Sequence, residues 1–129
     1  MFRKGRSIYE NQETASLEYA AEHLHVPLVV VMGHTHCGAV SAAFEGGTLP
    51  GKLPNLTAAI RPAVDQSAHE PGDRLDNAVR DNVLHVVEQL GAAKPVLSDL
   101  VATGKLRIVG AVYSLETGKV AWLPAAGGR

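Results

Sequence analysis

The sequence predicts an α/β fold: a small sheet of parallel strands joined by helical crossovers, closed by an antiparallel strand near the C-terminus. Leu28 to Met32 is an unbroken apolar run that stops at Gly33, and Leu106 to Leu115 is a second, with Ile108, Val109, Ala111 and Val112 in its middle. Short apolar runs between breakers suit strands buried on both faces, the pattern of a parallel sheet. Several stretches of helical period separate the two runs, so the connection is a helical crossover. After the second run, Glu116-Thr117-Gly118 reads as a turn, and Lys119 to Leu123 returns as an antiparallel edge strand.

The remaining elements are taken in chain order. Met1 to Gln12 is polar and unperiodic, and residues 1–12 are expected to form an N-terminal arm. Glu13 to Leu24 places Leu17, Ala20, Ala21 and Leu24 on one helical face, with Glu13 matching the helix dipole and Pro27 ending it. His23 and His25 near its end read as surface residues. A short helix over Ala39 to Phe44 stops at Gly46-Gly47. Leu56, Ile60 and Val64 mark another, in which Pro62 should kink or shorten the helix, and a polar linker comes next over Ser67 to Gly72.

Asp73 to Leu90 is the longest helical pattern. Leu75, Val79, Val83, Val86, Val87 and Leu90 form its apolar stripe, while Arg74, Asp76, Arg80, Asp81 and Glu88 read as a solvated face. Pro95 sits where a helical first turn tolerates it, before a helix over Val96 to Ala102 that ends at Gly104. The folded domain is therefore expected over residues 13–124, with 125–129 as a tail.

The 129 residues suffice for one domain with its own core. The formal charge of −1 carries no basic stripe of the kind nucleic-acid binding requires. No apolar run is long enough to span a membrane, and no apolar segment comes after the basic residues of Met1 to Ser7 as it would in a secretory signal. The chain has a single cysteine, which excludes an intrachain disulfide and fits a reducing compartment, so a cytoplasmic location is expected.

That cysteine lies in Gly33-His34-Thr35-His36-Cys37-Gly38, directly after the first strand. Ligands in open α/β sheets gather beyond the carboxyl ends of the strands. Cys37 would stand at a helix N-terminus, where partial positive charge favours the thiolate that binds zinc, with His34 as the imidazole partner. On spacing alone, a His-x-x-Cys is common by chance and its cysteine more often inert, buried packing.

Gly33-His34-Thr35-His36-Cys37-Gly38-Ala39-Val40 resembles the Gly-His-x-x-Cys-Gly-Ala zinc motif of the β-class carbonic anhydrases. Ala15-Ser16-Leu17-Glu18-Tyr19-Ala20 is similar to the family's preceding helix, and Asn77-Ala78-Val79-Arg80-Asp81-Asn82-Val83 to its long helix. Gly104 to Tyr113 resembles its next strand, with the hairpin over Leu115 to Val120 after it. The match runs from about Thr14 to Leu123.

The resemblance implies zinc-dependent reversible hydration of carbon dioxide to bicarbonate. Zinc lowers the pKa of bound water to ~7, so that hydroxide is available at neutral pH. It assigns His34 and Cys37 as Zn2+ ligands and the Gly38 backbone to the anion pocket, and it turns His36 away from the metal. In the family a further cysteine ligand comes from a Cys-x-Asp-x-Arg motif on an earlier strand, which also carries an Asp-Arg pair beside the metal. Neither is present here, because Cys37 is the single cysteine, and so no catalytic residue is assigned. The family's next strand ends in an Arg-x-Ala-Gly-Asn-like turn, of which Arg3-Lys4-Gly5-Arg6-Ser7 is a poor echo.

Without those two strands the run Leu28 to Met32 becomes an open sheet edge, which soluble proteins normally cover. Either the sequence is part of a longer chain, or another chain or a repacked arm fills the gap, and a homo-oligomer, at least a dimer, is expected. The alternative function is a non-catalytic carbonic-anhydrase-like module that binds a partner. A thiol enzyme fits less well: Ala43 stands where a Cys-x5-Arg phosphate cradle needs arginine, and His34 where a Cys-x-x-Cys redox site needs cysteine.

Overall fold

The computed structural model describes residues 8–124. In chain order these form α1 (Ile8–Glu18), a single π-helical turn (Tyr19–His23), β1 (Leu28–His34), α2 (Gly38–Glu45), α3 (Leu53–Ser67), α4 (Arg74–Gly91), α5 (Val96–Ala102), β2 (Arg107–Tyr113) and β3 (Val120–Trp122). The sheet order is β1-β2-β3. Strand β1 pairs parallel to β2, from Leu28 opposite Arg107 to His34 opposite Tyr113, and β2 pairs antiparallel to β3. The expected α/β fold, with its helical crossover and closing antiparallel strand, is observed.

Two glycines set how closely the long helix lies on the sheet. A Cβ on Gly33 would stand 2.7 Å from Val83 Cγ2, and one on Gly110 would stand 2.8 Å from Val83 Cγ1. Only a residue without a side chain lets α4 approach the strands this closely. Asp73 caps α4, its Oδ1 accepting from the backbone N–H of Asp76 at 2.9 Å. Helix α4 also packs on α3 and α2. Val40, Ala43, Ile60, Val64, Ala78 and Val79 form one buried cluster there, and Ala21, Leu97 and Leu106 form a second under α1 and α5.

Several expectations are corrected. Helix α1 begins at Ile8, inside the arm expected over 1–12. Residues 8–12 contain neither glycine nor proline, so nothing stops the helix from extending, and their polar character hides it from a search for amphipathic period. Residues 1–7, and the expected tail at 125–129, lie outside the described residues. Leu24, expected on the buried face, is 62% exposed. The π-helical turn causes this: Leu24 N–H donates to Tyr19 O, five residues back, which adds a residue to the turn and rotates the chain beyond it.

Helix α3 runs through Pro62 instead of stopping there. Pro62 and Ala58, whose carbonyl loses its donor, both lie on the exposed side, where that carbonyl is open to solvent. Asp81, read as part of a solvated face, is buried at 5% exposure. Helix α4 packs on the sheet at Val79 and Val83 and on α3 through Ala78, while Asn77 Nδ2 donates to Pro71 O at 3.0 Å in the loop before it, so a single stripe underestimates its burial.

Strand β1 is not buried on both faces. Its burial alternates, with Val29, Val31 and Gly33 half-buried on the α4 side and Leu28, Val30, Met32 and His34 exposed on the other. Val120 and Trp122 of β3 are exposed as well; in register, Trp122 stands across from Ala111, which stands across from Met32. Among the described residues β1 has no partner but β2, so the expected open edge is present. No described helix is long and apolar enough to cross a membrane.

Candidate metal centre

Strand β1 carries His34 to the carboxyl end of the sheet. Beyond Thr35 and His36 the chain reaches Cys37, the N-cap of α2, whose extended backbone (φ −68°, ψ 114°) turns the chain into the helix. The helix is closed by Ser41 N–H donating to Cys37 O at 3.0 Å. Cys37 makes no side-chain cap hydrogen bond, and it is half-buried against the cluster of Val40 and Ala43.

The partner of His34 selects its tautomer. Nδ1 lies 2.8 Å from the carbonyl oxygen of Thr35. A carbonyl only accepts, so Nδ1 carries the proton and donates, leaving the Nε2 lone pair free. Such a bond from one ring nitrogen is what fixes a metal-ligating imidazole. His34 is exposed.

His36 is engaged elsewhere. Its φ is +53°, a left-handed conformation that costs a non-glycine residue about 1 kcal/mol. Its Nε2 donates to Glu116 Oε1, while Glu116 Oε2 accepts from Ser114 Oγ at 2.9 Å and from Thr35 Oγ1 at 3.2 Å. Glu116's own backbone N–H, the Ser114 hydroxyl and the His36 ring, in that order, hold its carboxyl down at about 2. Read from the sequence, Glu116 is only a turn residue. It lies 80 positions from His36, and only the register that sets His34 beside Tyr113 brings the two loops together.

Gly38 opens α2, and a Cβ there would meet nothing within 4 Å. A cavity of about 410 Å³ lies beside the C-terminal half of α2, lined by Ser41, Phe44, Asp73 and Arg74 among others, and it touches none of His34, Cys37 and Gly38. Across α4, Asp81 Oδ2 is buried without a hydrogen-bond partner. Desolvation first, and then the neighbouring Glu70 carboxylate, push its carboxyl up to about 6 against the pull of Arg80.

The profile of the carbonic anhydrase family matches residues 4–120. This chain belongs to the β-carbonic anhydrase family. It is 35% identical over 121 residues to carbonic anhydrase 2 of Mycobacterium tuberculosis, covering 91% of this chain and 58% of that relative. The fold is similar to the β-carbonic anhydrase CafA of Aspergillus fumigatus, with a TM-score of 0.73 at 32% identity, covering 90% of this chain and 57% of that one. It is also similar to a tetrameric β-carbonic anhydrase of Sordaria macrospora, with a TM-score of 0.80 at 25% identity, covering 91% and 62%. The chain thus spans about three-fifths of the length of these carbonic anhydrases.

In kind, an imidazole whose Nδ1 is taken by a carbonyl and a thiol that makes no side-chain cap hydrogen bond suit zinc. In number they fall short, because a zinc site needs three or four protein ligands. Among the described residues no group of three or more His, Cys, Asp or Glu side chains is placed to hold a metal ion.

Proposed function

We propose that this protein serves the reversible hydration of carbon dioxide to bicarbonate with Zn2+, and that the 129 residues alone are impaired in it. The observation that carries this reading is the β1–α2 turn of a carbonic anhydrase family member, in which His34 Nδ1 is taken by the Thr35 carbonyl, leaving Nε2, and the Cys37 thiol makes no side-chain cap hydrogen bond. His34 Nε2 and Cys37 Sγ would hold the metal, and the backbone at Gly38 would line the anion's side of the site. Bound zinc supplies a water acidic enough to react with carbon dioxide near neutral pH. His34 keeps its ring fixed through the Thr35 carbonyl, and the left-handed turn at His36 separates the two donors. A further donor has to come from outside the described residues.

We further propose that copies of this chain associate and that the protein works in the cytoplasm. The open edge of β1, the exposed Leu28, Val30 and Met32, and the tetrameric Sordaria relative support association. The single thiol of Cys37 suits a reducing compartment.

Zinc analysis of the purified chain together with a stopped-flow carbon dioxide hydration assay tests the main reading. The expected result is weak, substoichiometric zinc that depends on His34 and Cys37, with hydration far below that of a complete enzyme. Stoichiometric zinc without any inhibitor-sensitive hydration overturns the catalytic reading. The absence of a third donor among the described residues favours a second reading, a non-catalytic module of the same fold. That module would take up no zinc, and Cys37→Ser would leave its melting temperature unchanged with or without zinc.

A further inference from the structure

Arg80 stands between two carboxyl groups of unlike burial. Its Nη2 donates to Oε2 of Glu70, in the loop between α3 and α4. Its Nε lies 3.8 Å from Oδ1 of Asp81, the next residue on α4, beyond hydrogen-bond reach. Asp81 is buried and its Oδ2 has no hydrogen-bond partner, whereas Glu70 and Arg80 are half-buried. The loop between the helices is lightly tied. Ala68 N–H donates to Asp65 O at 3.4 Å, Glu70 N–H donates to Ser67 O at 3.1 Å, and Pro71 O accepts from Asn77 Nδ2 at 3.0 Å. The Glu70 side chain adds an ionic tie to α4.

Among the described residues, Glu70 and Arg80 are the charged groups that act on Asp81. Helix α3 carries Arg61 and Asp65, which pair with each other at 3.0 Å, and its buried Ser67 donates to Val64 O. His69, in the loop itself, is exposed. With Asp81 protonated, one guanidinium faces one carboxylate. With Asp81 ionised, two carboxylates compete for it. The buried one is the costlier to leave unpaired, because it has no water to turn to. Glu70, on a half-exposed loop, reaches solvent by a change of rotamer, and a shift of under about 1 Å brings Arg80 Nε within bonding distance of Asp81.

From this geometry we infer that Arg80 is a proton-controlled latch: it holds Glu70, and with it the loop over residues 68–72, while Asp81 is protonated, and it turns to Asp81 and frees Glu70 once that proton leaves to water. The raised pKa of Asp81 sets the change near pH 6. The loop leads into α4, and its Gly72 lines the cavity beside Phe44 and Arg74, so release alters one wall of that cavity. The latch does not depend on the zinc reading.

The test uses the full 129-residue chain, its Asp81→Asn variant and its Glu70→Gln variant. Nuclear magnetic resonance of the folded protein between pH 4.5 and about 7.5 follows the Asp81 carboxyl carbon and Arg80 Nε, and heteronuclear NOEs read backbone order at residues 68–72. In wild type the two side chains should titrate together, and the loop NOEs should fall with them while those of α4 hold. Asp81→Asn should keep an ordered loop throughout, and Glu70→Gln a loosened loop throughout. Loop NOEs that stay constant through the Asp81 titration overturn the latch. So does a fall that persists in Asp81→Asn, which would assign the change to His69. If Asp81→Asn does not fold, Glu70→Gln decides: a loop that still loosens with rising pH in that variant overturns the inference.

Discussion

Gly33 and Val83 meet with no room between them: a Cβ on Gly33 would stand 2.7 Å from Val83 Cγ2 and 3.1 Å from Val79 Cγ1. Gly33→Ala therefore forces α4 away from β1 one residue before His34. Overpacking of this kind costs ~1–3 kcal/mol. In a Val83→Ala background the same substitution should cost much less, because the clashing methyl is gone. Denaturant melts of the four proteins in this cycle check it, and equal costs in both backgrounds would refute the contact.

Asp81 makes stability depend on pH in a definite direction. Its folded pKa of about 6 lies above the ordinary 3.8, so the folded state holds the proton more tightly than the unfolded chain. Stability attributable to Asp81 is full below about 4 and is lost as pH rises through 6, with an amplitude on the order of 3 kcal/mol. Asp81→Asn keeps the shape and removes the charge. It should raise the melting temperature at pH 7.5 and flatten the change between pH 4 and 6. A variant less stable than wild type at pH 7.5 would contradict this.

Cys37 should matter to zinc and little to the apo fold. Added zinc at a hundred times its dissociation constant stabilises a folded state by ~2.7 kcal/mol, a shift of several degrees for a domain this size. Differential scanning fluorimetry with and without zinc should show that shift in wild type and lose it in Cys37→Ser and His34→Ala, with the zinc-free melts alike.

The bare face of β1 predicts poor behaviour as a monomer. By size-exclusion chromatography with light scattering, the wild type should run larger than one chain. Val30→Lys and Met32→Lys, both on exposed positions, should shift it towards the monomer with melting temperatures within about 2 °C, as is usual for surface changes. A sharp wild-type monomer peak with cooperative melting refutes the association.

Local signals carried much of the architecture. The apolar runs, the cap at Asp73, the stop at Gly46 and the Glu116-Thr117-Gly118 turn all act within a few residues, and each element they mark is present. Layers and register decide the features that escaped. The one-sided burial of β1 reflects what covers it, not what composes it. Asp81 is buried although charged, beside Glu70 and Arg80, which its place off the apolar stripe does not mark. The turn at Leu24 shifts because hydrogen bonds widen by one residue, which no composition marks. At the candidate site, His34 and Cys37 announce themselves by spacing, while Glu116 reaches Thr35 and His36 only once β1 and β2 are paired.

That pairing has a consequence for how the chain is made. His34 ends β1, and its partner strand begins only at Arg107, about 70 residues later. At a synthesis rate of roughly 5–20 residues per second, β1 leaves the ribosome roughly four to fourteen seconds before β2, its partner among the described residues, can pair with it. Throughout that interval Leu28 to Met32 is a sticky nascent segment, so yield in a cell should respond to translation speed and to chaperone supply more than to the equilibrium strength of the finished sheet.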